Sequence, residues 1–193
     1  MEQVNTGIHL LTPRLVLRDH RWEDLPTHHA LLSDAHAMHY LPDIRTTTME
    51  ESEENLRVAM GEIGKAERTY VFLRMEERAT GDHVGEIGYT VTSRCPLGAF
   101  VGVGYFLRPC HWGKGYAAEA LREVLRYAFE EGGVLRVACG CVAENGASER
   151  VMQKAGLLRE CERKQCVWQN GKLMDRVDYR LLRDEWQAAQ AKA

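Results

Sequence analysis

The chain has 193 residues, of which 45% are hydrophobic and 27% are charged, and its formal net charge is −3. This length and composition fit one globular domain of ordinary size with its own core, which we expect over residues 1–193 with the core from about 11 to 182. The slight acidity excludes a binding mode that depends on a basic surface, so nucleic acid is not an expected partner.

The sequence offers neither a membrane span nor an export signal. No window approaches the roughly 18 consecutive apolar residues of a membrane helix. The first residues, MEQVNTGIHLLTPRL, carry an acid at position 2 and no long apolar run, which argues against a signal peptide. We therefore expect a cytoplasmic protein without a membrane partner, whose six cysteines are reduced thiols.

The cysteines do not form a metal-ligand pattern. There is no C-x-x-C pair, and the histidines, including His36 and His39, lie far from them in sequence. Cys139 and Cys141 fall in VLRVACGCV, where they alternate with apolar residues on one face. We expect a buried strand face in which each cysteine acts as a small hydrophobe, and we expect no metal.

The first third of the chain reads as one strand and two helices. RLVLRDH, from Arg14 to His20, alternates apolar and polar residues and predicts a first strand. Amphipathic stretches near Trp22 to Leu32 and Thr48 to Ile63 predict two helices. Thr46 to Thr48 offer N-caps before the acidic first turn of the second helix.

The rest of the chain alternates between strands and helices. TYVFLRME, HVGEIGYTVT and AFVGVGYFL predict three strands, and a helix with an apolar stripe follows from about Gly115 to Glu131. After the cysteine strand come a short helix from Asn145 to Gly156 and two strands joined at Asn170-Gly171, a strong hairpin signal. This order predicts an α/β or α+β fold with a mixed sheet of about seven strands and about four helices.

The stretch RPCHWGKGYAAEA places Gly113 and Gly115 directly before a predicted helix. The first turn of a helix has unpaired N–H groups and the positive end of the dipole, so it attracts anions. Glycine removes the Cβ that would keep a phosphate away from those groups, and it permits unusual φ angles. We therefore predict a phosphate-binding loop, with a plain turn before a helix as the alternative.

Two familiar phosphate motifs do not fit this loop. A P-loop needs Ser or Thr after its G-K pair, and here Gly115 and Tyr116 follow Lys114. A dinucleotide fingerprint needs a third glycine, and Ala118 stands at that position. A protein that holds ATP on these glycines is therefore the least favoured interpretation.

Two segments, YFLRPCHWGKGYAAEALREVLRYAFEE and VAENGASERVMQKAGL, resemble the acetyl-CoA signature of the GNAT superfamily of N-acetyltransferases. The first corresponds to its x-x-G-x-G/A loop and following helix, the second to its N-x-x-S helix. LLTPRLVLR and the hairpin with GKLMDRVDYRL resemble the branch of the ribosomal-protein N-terminal (alanine/serine) acetyltransferases. The resemblance, from about Leu11 to Leu182, implies a GNAT-like fold, acetyl-CoA as cosubstrate and acetyl transfer to a primary amine.

The resemblance also assigns roles to residues. The strand from Gly104 to Leu107 would bind the pantetheine arm, and Trp112 to Ala117 would wrap the pyrophosphate with main-chain N–H groups. Asn145 would hold the pantetheine, and Ser148 would lie near the sulfur. The cofactor-binding residues so implied are Phe106, Leu107, Trp112, Gly113, Lys114, Gly115, Tyr116, Ala117, Asn145 and Ser148.

Several of these residues also have structural explanations. Asn145 is a good N-cap for its helix, and Trp112 and Tyr116 also fit packing against the sheet. Ser148 is not the Glu or Gln of a capping box, so capping explains it less well.

The implied reaction needs a neutral amine, a donor for the carbonyl oxygen and a proton for the leaving thiolate. The Leu107 main-chain N–H is the candidate donor. Ser148 is the candidate proton source, because Met152 stands where many relatives carry a tyrosine. Glu86, on the strand beside the cofactor strand, is the best candidate base, with a solvated strand glutamate as the alternative.

Two further readings of the chemistry stay open. Cys110 stands where the superfamily often has Gln or Arg, and as a nucleophile it would have only the adjacent His111 and no third group. We therefore favour direct attack in a ternary complex. A non-catalytic acyl-CoA-binding or regulatory module on the same fold is the main alternative, because the tyrosine is absent and the base is not firm.

The acceptor is not identified by the sequence. The segment 31–48, LLSDAHAMHYLPDIRTTT, would wall the acceptor pocket, as the resemblance implies, and a peptide N-terminus, an aminoglycoside-like sugar and a polyamine all fit it. Without a firm base, an α-amine with a pKa near 7.7–8.0, roughly a tenth neutral at pH 7, is favoured over a lysine near 10.4. Many relatives pair as dimers, so a homodimer is also open.

Overall fold

The computed structural model describes residues 7–192 and confirms the α+β class, with one mixed sheet and five α-helices. The sheet has eight strands in the order β1-β2-β3-β4-β5-β6-β8-β7. The strands are β1 (His9–Leu11), β2 (Leu15–Asp19), β3 (Tyr70–Glu77), β4 (His83–Cys95), β5 (Gly98–Leu107), β6 (Val134–Val142), β7 (Leu158–Gln169) and β8 (Lys172–Leu182). The helices are α1 (Leu25–Leu32), α2 (Met49–Met60), α3 (Tyr116–Glu130), α4 (Gly146–Lys154) and α5 (Arg183–Gln190).

The predicted count of seven strands and four helices is therefore one too low for each. The strand β1 was missed because three residues are too few to show an alternating pattern. The helix α5 was missed because its sequence, RDEWQAAQ, has no apolar stripe apart from one tryptophan and small alanines. The prediction that the chain does not begin with a signal peptide rests partly on residues 1–6, which lie outside the described residues.

The described chain divides into two compact units, residues 7–90 with Tyr105–Tyr116 and Val91–Gly104 with residues 117–192. In the first unit, β1 to β3 pair antiparallel, and β3 pairs antiparallel with β4. The predicted cap is confirmed, because the Thr48 side chain accepts a hydrogen bond from the Glu51 N–H at the start of α2. The largest fully buried aliphatic side chains of this unit are Leu15, Leu17, Leu31, Leu32, Met38, Leu56, Leu73 and Met75.

In the second unit, β6 pairs parallel with β5 and antiparallel with β8, and β7 pairs antiparallel with β8. The hairpin between β7 and β8 turns at Asn170 and Gly171, which have φ of 52° and 76°, the left-handed pair that a tight hairpin turn requires. Cys139 and Cys141 are buried on one face of β6, so their prediction as core residues is confirmed.

None of the helices within residues 7–192 combines the length and the apolar character that a bilayer crossing demands.

The strand β4 depends on glycine for close backbone approach. A Cβ built on Gly88 would lie 1.9 Å from the carbonyl oxygen of Val71, and one on Gly85 would lie 2.3 Å from the carbonyl oxygen of Phe106. These neighbours are main-chain atoms held by the sheet, so they cannot move aside cheaply. The glycines in HVGEIGYT are therefore a packing requirement of the sheet.

We predict that Gly88→Ala destabilises the protein by about 1–3 kcal/mol, the usual cost of overpacking a well-packed site. Thermal and urea unfolding of the two proteins measure the difference. Gly102→Ala is the matched control, because its added Cβ would meet nothing nearer than Thr92 Cγ2 at 3.8 Å. Equal losses of stability in the two variants would show that the close approach at Gly88 is not the cause.

Candidate functional site

The loop between β5 and α3 has the backbone form that the sequence predicted for an anion site. A short 3-10 turn covers Pro109–His111, and α3 begins at Tyr116. Gly113 and Gly115 have φ of 74° and 82°, the left-handed region that favours glycine. Among the described residues, the main-chain N–H groups of Gly113, Lys114 and Gly115 have no hydrogen-bond acceptor. Both glycines are therefore required by conformation, and they leave several donors at the helix start.

Arg14 contacts this loop, although no pattern in the sequence marks it as a site residue. Its Nη1 donates to the carbonyl oxygen of Lys114 at 2.9 Å, and its Cζ lies 4.6 Å from the centre of the Tyr116 ring. The contact joins residues 100 apart in the chain, so only the tertiary structure places this cation at the loop. Arg14 and Lys114 together make the loop electropositive.

Trp112 and Tyr116 hold the two ends of the loop. The Trp112 indole N–H donates to the carbonyl oxygen of Leu107 at 2.9 Å, and its ring lies edge-on to His36 with 4.7 Å between ring centres. Tyr116 is buried, and its hydroxyl donates to Glu77. The packing explanation that the sequence left open therefore holds for Tyr116, while Trp112 keeps 45% of its surface exposed.

The parallel ladder between β5 and β6 is short. The paired residues run from Ala99↔Val134 to Gly102↔Ala138, although β5 continues to Leu107 and β6 to Val142. The last part of β6 pairs with β8 alone, through Val142↔Arg176. Within the second unit, β5 runs on through Val103 and Gly104 after the last pair with β6 at Gly102, so the main-chain groups on that strand edge are available to other donors and acceptors.

Phe106 and Leu107, the predicted pantetheine-binding residues, lie at the end of β5 in the first unit. Phe106 is half-buried and packs against the cluster of Leu31, Leu32 and Met38 at the end of α1 and just beyond it. Leu107 is buried, and the following residue is tied to β4 by a hydrogen bond from the Arg108 N–H to the carbonyl oxygen of Val84 at 3.0 Å. The end of β5 is therefore firmly fixed before the loop begins.

The other predicted cofactor residues lie in the second unit. Ala117 is the second residue of α3. Asn145 is the N-cap of α4, where its Oδ1 accepts from the Ser148 N–H at 3.1 Å. The capping explanation for Asn145 is therefore confirmed. The Cys141 thiol donates to the carbonyl oxygen of Asn145 at 3.6 Å, and burial raises the pKa of that thiol.

Glu86 is buried with 6% of its surface exposed, so the interpretation of a solvated strand glutamate is wrong. Its Oε1 lies 2.6 Å from His28 Nδ1, and its Oε2 lies 3.7 Å from His20 Nε2. Desolvation opposes ionisation, but the attraction of His20 and the hydrogen bond with His28 outweigh it, so the pKa of Glu86 lies below its usual range. Glu86 is therefore a paired, ionised and weakly basic carboxylate.

The candidate nucleophile Cys110 has no activating partner. Its side chain is exposed, and within residues 7–192 its sulfur makes no hydrogen bond. The adjacent His111 instead packs against the Tyr116 ring, with 6.1 Å between ring centres. A cysteine nucleophile requires a neighbouring base or cation to form the thiolate, so the geometry does not favour a covalent intermediate.

Comparisons with known proteins agree with this geometry. The model of the acetyltransferase (GNAT) domain family matches residues 14–158. The uncharacterized N-acetyltransferase YnaD of Bacillus subtilis (strain 168) is 30% identical over 184 residues, which cover 93% of this chain and 99% of that protein.

Two solved structures with coenzyme A share the fold. RimL, a ribosomal L7/L12 alpha-N-protein acetyltransferase in complex with coenzyme A, superposes with a TM-score of 0.79 at 19% identity, over 93% of this chain and 99% of that one. Spermidine N-acetyltransferase from Vibrio cholerae, in complex with CoA and spermine, gives 0.78 at 18% identity, over 91% and 99%. At these identities the likeness establishes the fold alone.

The family match covers most of the chain, and a relative aligned over nearly the full length is named as an N-acetyltransferase. The expectation of an enzyme is therefore confirmed, and it is preferred to the alternative of a non-catalytic module. The chain belongs to the GNAT family of acetyltransferases, the acetyl-CoA-dependent enzymes that transfer an acetyl group to an amine.

Proposed function

We propose that this enzyme acetylates the α-amino group of a peptide or protein N-terminus, by direct attack of the amine on acetyl-CoA in a ternary complex. The assignment of coenzyme A rests on the loop at Gly113–Gly115. Its two glycines have left-handed φ angles, and its main-chain N–H groups have no hydrogen-bond acceptor among the described residues. Such a loop at a helix start suits the pyrophosphate of coenzyme A. A cytoplasmic location and a homodimeric state remain predictions.

Arg14 supplies a side-chain cation to the same phosphate site. The main-chain N–H groups of the loop form hydrogen bonds but carry only partial charge, whereas the pyrophosphate is an anion. The position of Arg14 is fixed by its hydrogen bond to the Lys114 carbonyl and by its stacking over Tyr116. An arginine held in this way loses little rotational freedom when the phosphate arrives.

Ser148 is the proposed proton source for the leaving thiolate. It lies in the first turn of α4, where the Asn145 side chain accepts from the Ser148 N–H and the Cys141 thiol donates to the Asn145 carbonyl oxygen. The tyrosine that many relatives carry one turn later is replaced here by Met152, which is fully buried. Direct attack is favoured over a covalent intermediate because Cys110 lacks an activating partner.

The acceptor proposal rests on the state of Glu86. A carboxylate with a lowered pKa that is paired with His28 is a poor base for an ammonium group. The acceptor must then supply its own neutral amine. An α-amine satisfies this need better than a lysine or a polyamine, because its lower pKa raises the neutral fraction at pH 7 by roughly two orders of magnitude. Among the fold relatives, RimL is named for a protein α-amine and the Vibrio cholerae enzyme for spermidine.

We predict acetylation at the N-terminus of unblocked peptides. Thiol release from acetyl-CoA would be measured with peptides beginning with Ala, Ser or Met and containing one internal lysine, and mass spectrometry would locate the acetyl group. The matched control is the same peptide with its N-terminus blocked. We expect kcat/KM to rise with pH to about 8, following deprotonation of the α-amine. Acetylation of the blocked peptide, or activity with spermidine or amino sugars alone, would contradict the acceptor but not the enzyme class.

We predict that Arg14→Gln raises the KM for acetyl-CoA about tenfold, the usual effect of losing one charged hydrogen bond. The KM for acetyl-pantetheine, which has no pyrophosphate, should stay unchanged. Arg78→Gln is the matched control. It also removes an arginine whose Nη1 donates to a main-chain carbonyl, here that of Thr12 at 2.8 Å, two residues before Arg14. If Arg14→Gln weakens both thioesters equally, the arginine stabilises the loop and does not contact phosphate.

We predict that Ser148→Ala lowers kcat on the order of 10²-fold while the KM for acetyl-CoA changes little, because a general acid acts in the transition state. Steady-state kinetics with a peptide acceptor measure both constants. Cys141→Ala removes the neighbouring thiol, which donates to the Asn145 carbonyl, and leaves the Ser148 hydroxyl in place, so it should keep most of kcat. Full activity in Ser148→Ala would assign the proton transfer to water.

A further inference from the structure

A buried cluster of three histidines and one glutamate lies in the first unit. His20 directly follows β2, His28 belongs to α1, and His83 and Glu86 belong to β4. Their exposed fractions are 3%, 1%, 3% and 6%, so none of them is solvated. Cysteine spacing predicted no metal, and no local pattern indicates that His28 and Glu86, 58 positions apart, meet in the folded chain.

The side chains converge on the Glu86 carboxylate. One ligand atom from each of His20, His28 and Glu86 lies within 4.8 Å of the others. The His28 Nδ1 is 2.6 Å from Oε1, and the His20 Nε2 is 3.7 Å from Oε2. The His83 Nε2 contacts the Gly85 carbonyl oxygen at 3.1 Å and lies 3.6 Å from Glu86 Oε1, so His83 is a neighbour of the group rather than a third imidazole ligand.

Several of these imidazole nitrogens lack hydrogen-bond partners. In the described part of the chain, both nitrogens of His20, the Nε2 of His28 and the Nδ1 of His83 are buried without one. More than about 90% of buried polar groups in proteins are satisfied, and each exception calls for an explanation, such as an ion. His20 is the clearest case, because its Nε2 faces the Glu86 carboxylate at 3.7 Å and makes no hydrogen bond.

The charges around the cluster leave room for a cation. Arg18 pairs with Asp24 and Glu76 at 2.8 and 2.6 Å. Arg74 pairs with the same two acids, at 2.8 Å from Glu76 and 3.4 Å from Asp24. The two arginines therefore compensate two carboxylates, and within residues 7–192 Glu86 forms ion pairs only with histidines. A buried carboxylate with no cation is costly, so the site favours a positive occupant.

The donor set selects the kind of cation. Two imidazoles and one carboxylate are a borderline N/O set that suits Zn²⁺, whereas Mg²⁺ and Ca²⁺ prefer oxygen ligands. Zinc ligands lie about 2.0–2.2 Å from the ion, so tetrahedral ligand atoms are roughly 3.4 Å apart, and His28 Nδ1 and Glu86 Oε1 must separate from 2.6 Å to admit the ion. The other nitrogen of His20, Nδ1, faces Asp24 Oδ2 at 3.9 Å, and such an outer carboxylate commonly orients a metal-bound histidine.

We propose that His20 Nε2, His28 Nδ1 and the Glu86 carboxylate form a zinc site that fixes α1 and the end of β2 to β4. Binding replaces the hydrogen bond between His28 and Glu86 with two bonds to the ion, and the proton on His28 Nδ1 moves to Nε2, so the imidazole binds in its neutral form. Three protein ligands leave the fourth tetrahedral position to a water molecule. The role is structural, and the proposal does not depend on which amine the enzyme acetylates.

The test uses the full chain with no affinity tag, stripped with a chelator and dialysed. Zn²⁺ would be titrated in competition with a chromophoric chelator, and thermal unfolding would be followed with and without one equivalent of Zn²⁺. We expect one Zn²⁺ per chain, a rise in Tm on adding Zn²⁺, and visible d–d absorption typical of low coordination number with Co²⁺.

The ligand variants are His20→Gln, His28→Asn and Glu86→Gln, which keep approximate shape but bind metal weakly. Each should lose at least the 10–100-fold in affinity that even outer-sphere partners contribute. His9→Asn removes an exposed histidine on β1 and should bind Zn²⁺ as the wild type does.

The wild-type measurements stand even if a variant fails to fold. No binding of stoichiometric Zn²⁺ and no rise in Tm would overturn the proposal, and so would equal affinity in folded ligand variants and wild type. Thiol release, measured on the same preparation, reports the acetyltransferase activity separately, so failure of the zinc site and failure of the proposed function are distinguishable.

Discussion

The constraint on which the site depends is the early end of the parallel ladder between β5 and β6. The two strands pair only as far as Gly102↔Ala138, although each continues for several residues. Main-chain N–H and C=O groups must find partners, so a strand that leaves its ladder presents unused groups. The loop with Gly113 and Gly115 follows β5, and the α4 N-terminus with Asn145 follows β6. The elements to which we assign cofactor contacts thus each begin just after one of these two strands.

Charge organisation in the first unit separates two tasks. At the loop, Arg14 and Lys114 add positive charge to a set of main-chain donors, and the acid Glu77 accepts a hydrogen bond from the Tyr116 hydroxyl. Beneath α1, by contrast, a carboxylate is buried among imidazoles. An exposed cationic loop suits the reversible binding of an anionic cosubstrate that we propose, whereas a buried carboxylate is costly unless neighbouring groups compensate its charge.

This separation shapes the chemistry. The strand glutamate that appeared to be the natural base is committed to His28, and its pKa is lowered. In the mechanism that we propose, the enzyme relies on an acceptor that is already partly neutral, on main-chain donors at the carbonyl oxygen and on a hydroxyl at the leaving sulfur. In that mechanism, the pKa of the amine contributes to the choice of acceptor, together with the shape of the acceptor pocket.

Local patterns were sufficient to predict most elements of the fold. Alternation in RLVLRDH, the Thr48 cap and the Asn170-Gly171 hairpin each depend on neighbours within a few residues, and each is confirmed. The strand β1 and the helix α5 lacked a pattern long enough to be recognised.

The sequence by itself determined the fold class, the glycine loop and the family, because these are written in residue types at short spacing. The tertiary structure alone decided the environment of single side chains. It brought Arg14 to a loop 100 residues away, and it buried Glu86 among His20 and His28. The physical reason is that charge and burial are set by contacts between distant segments, which no local pattern records.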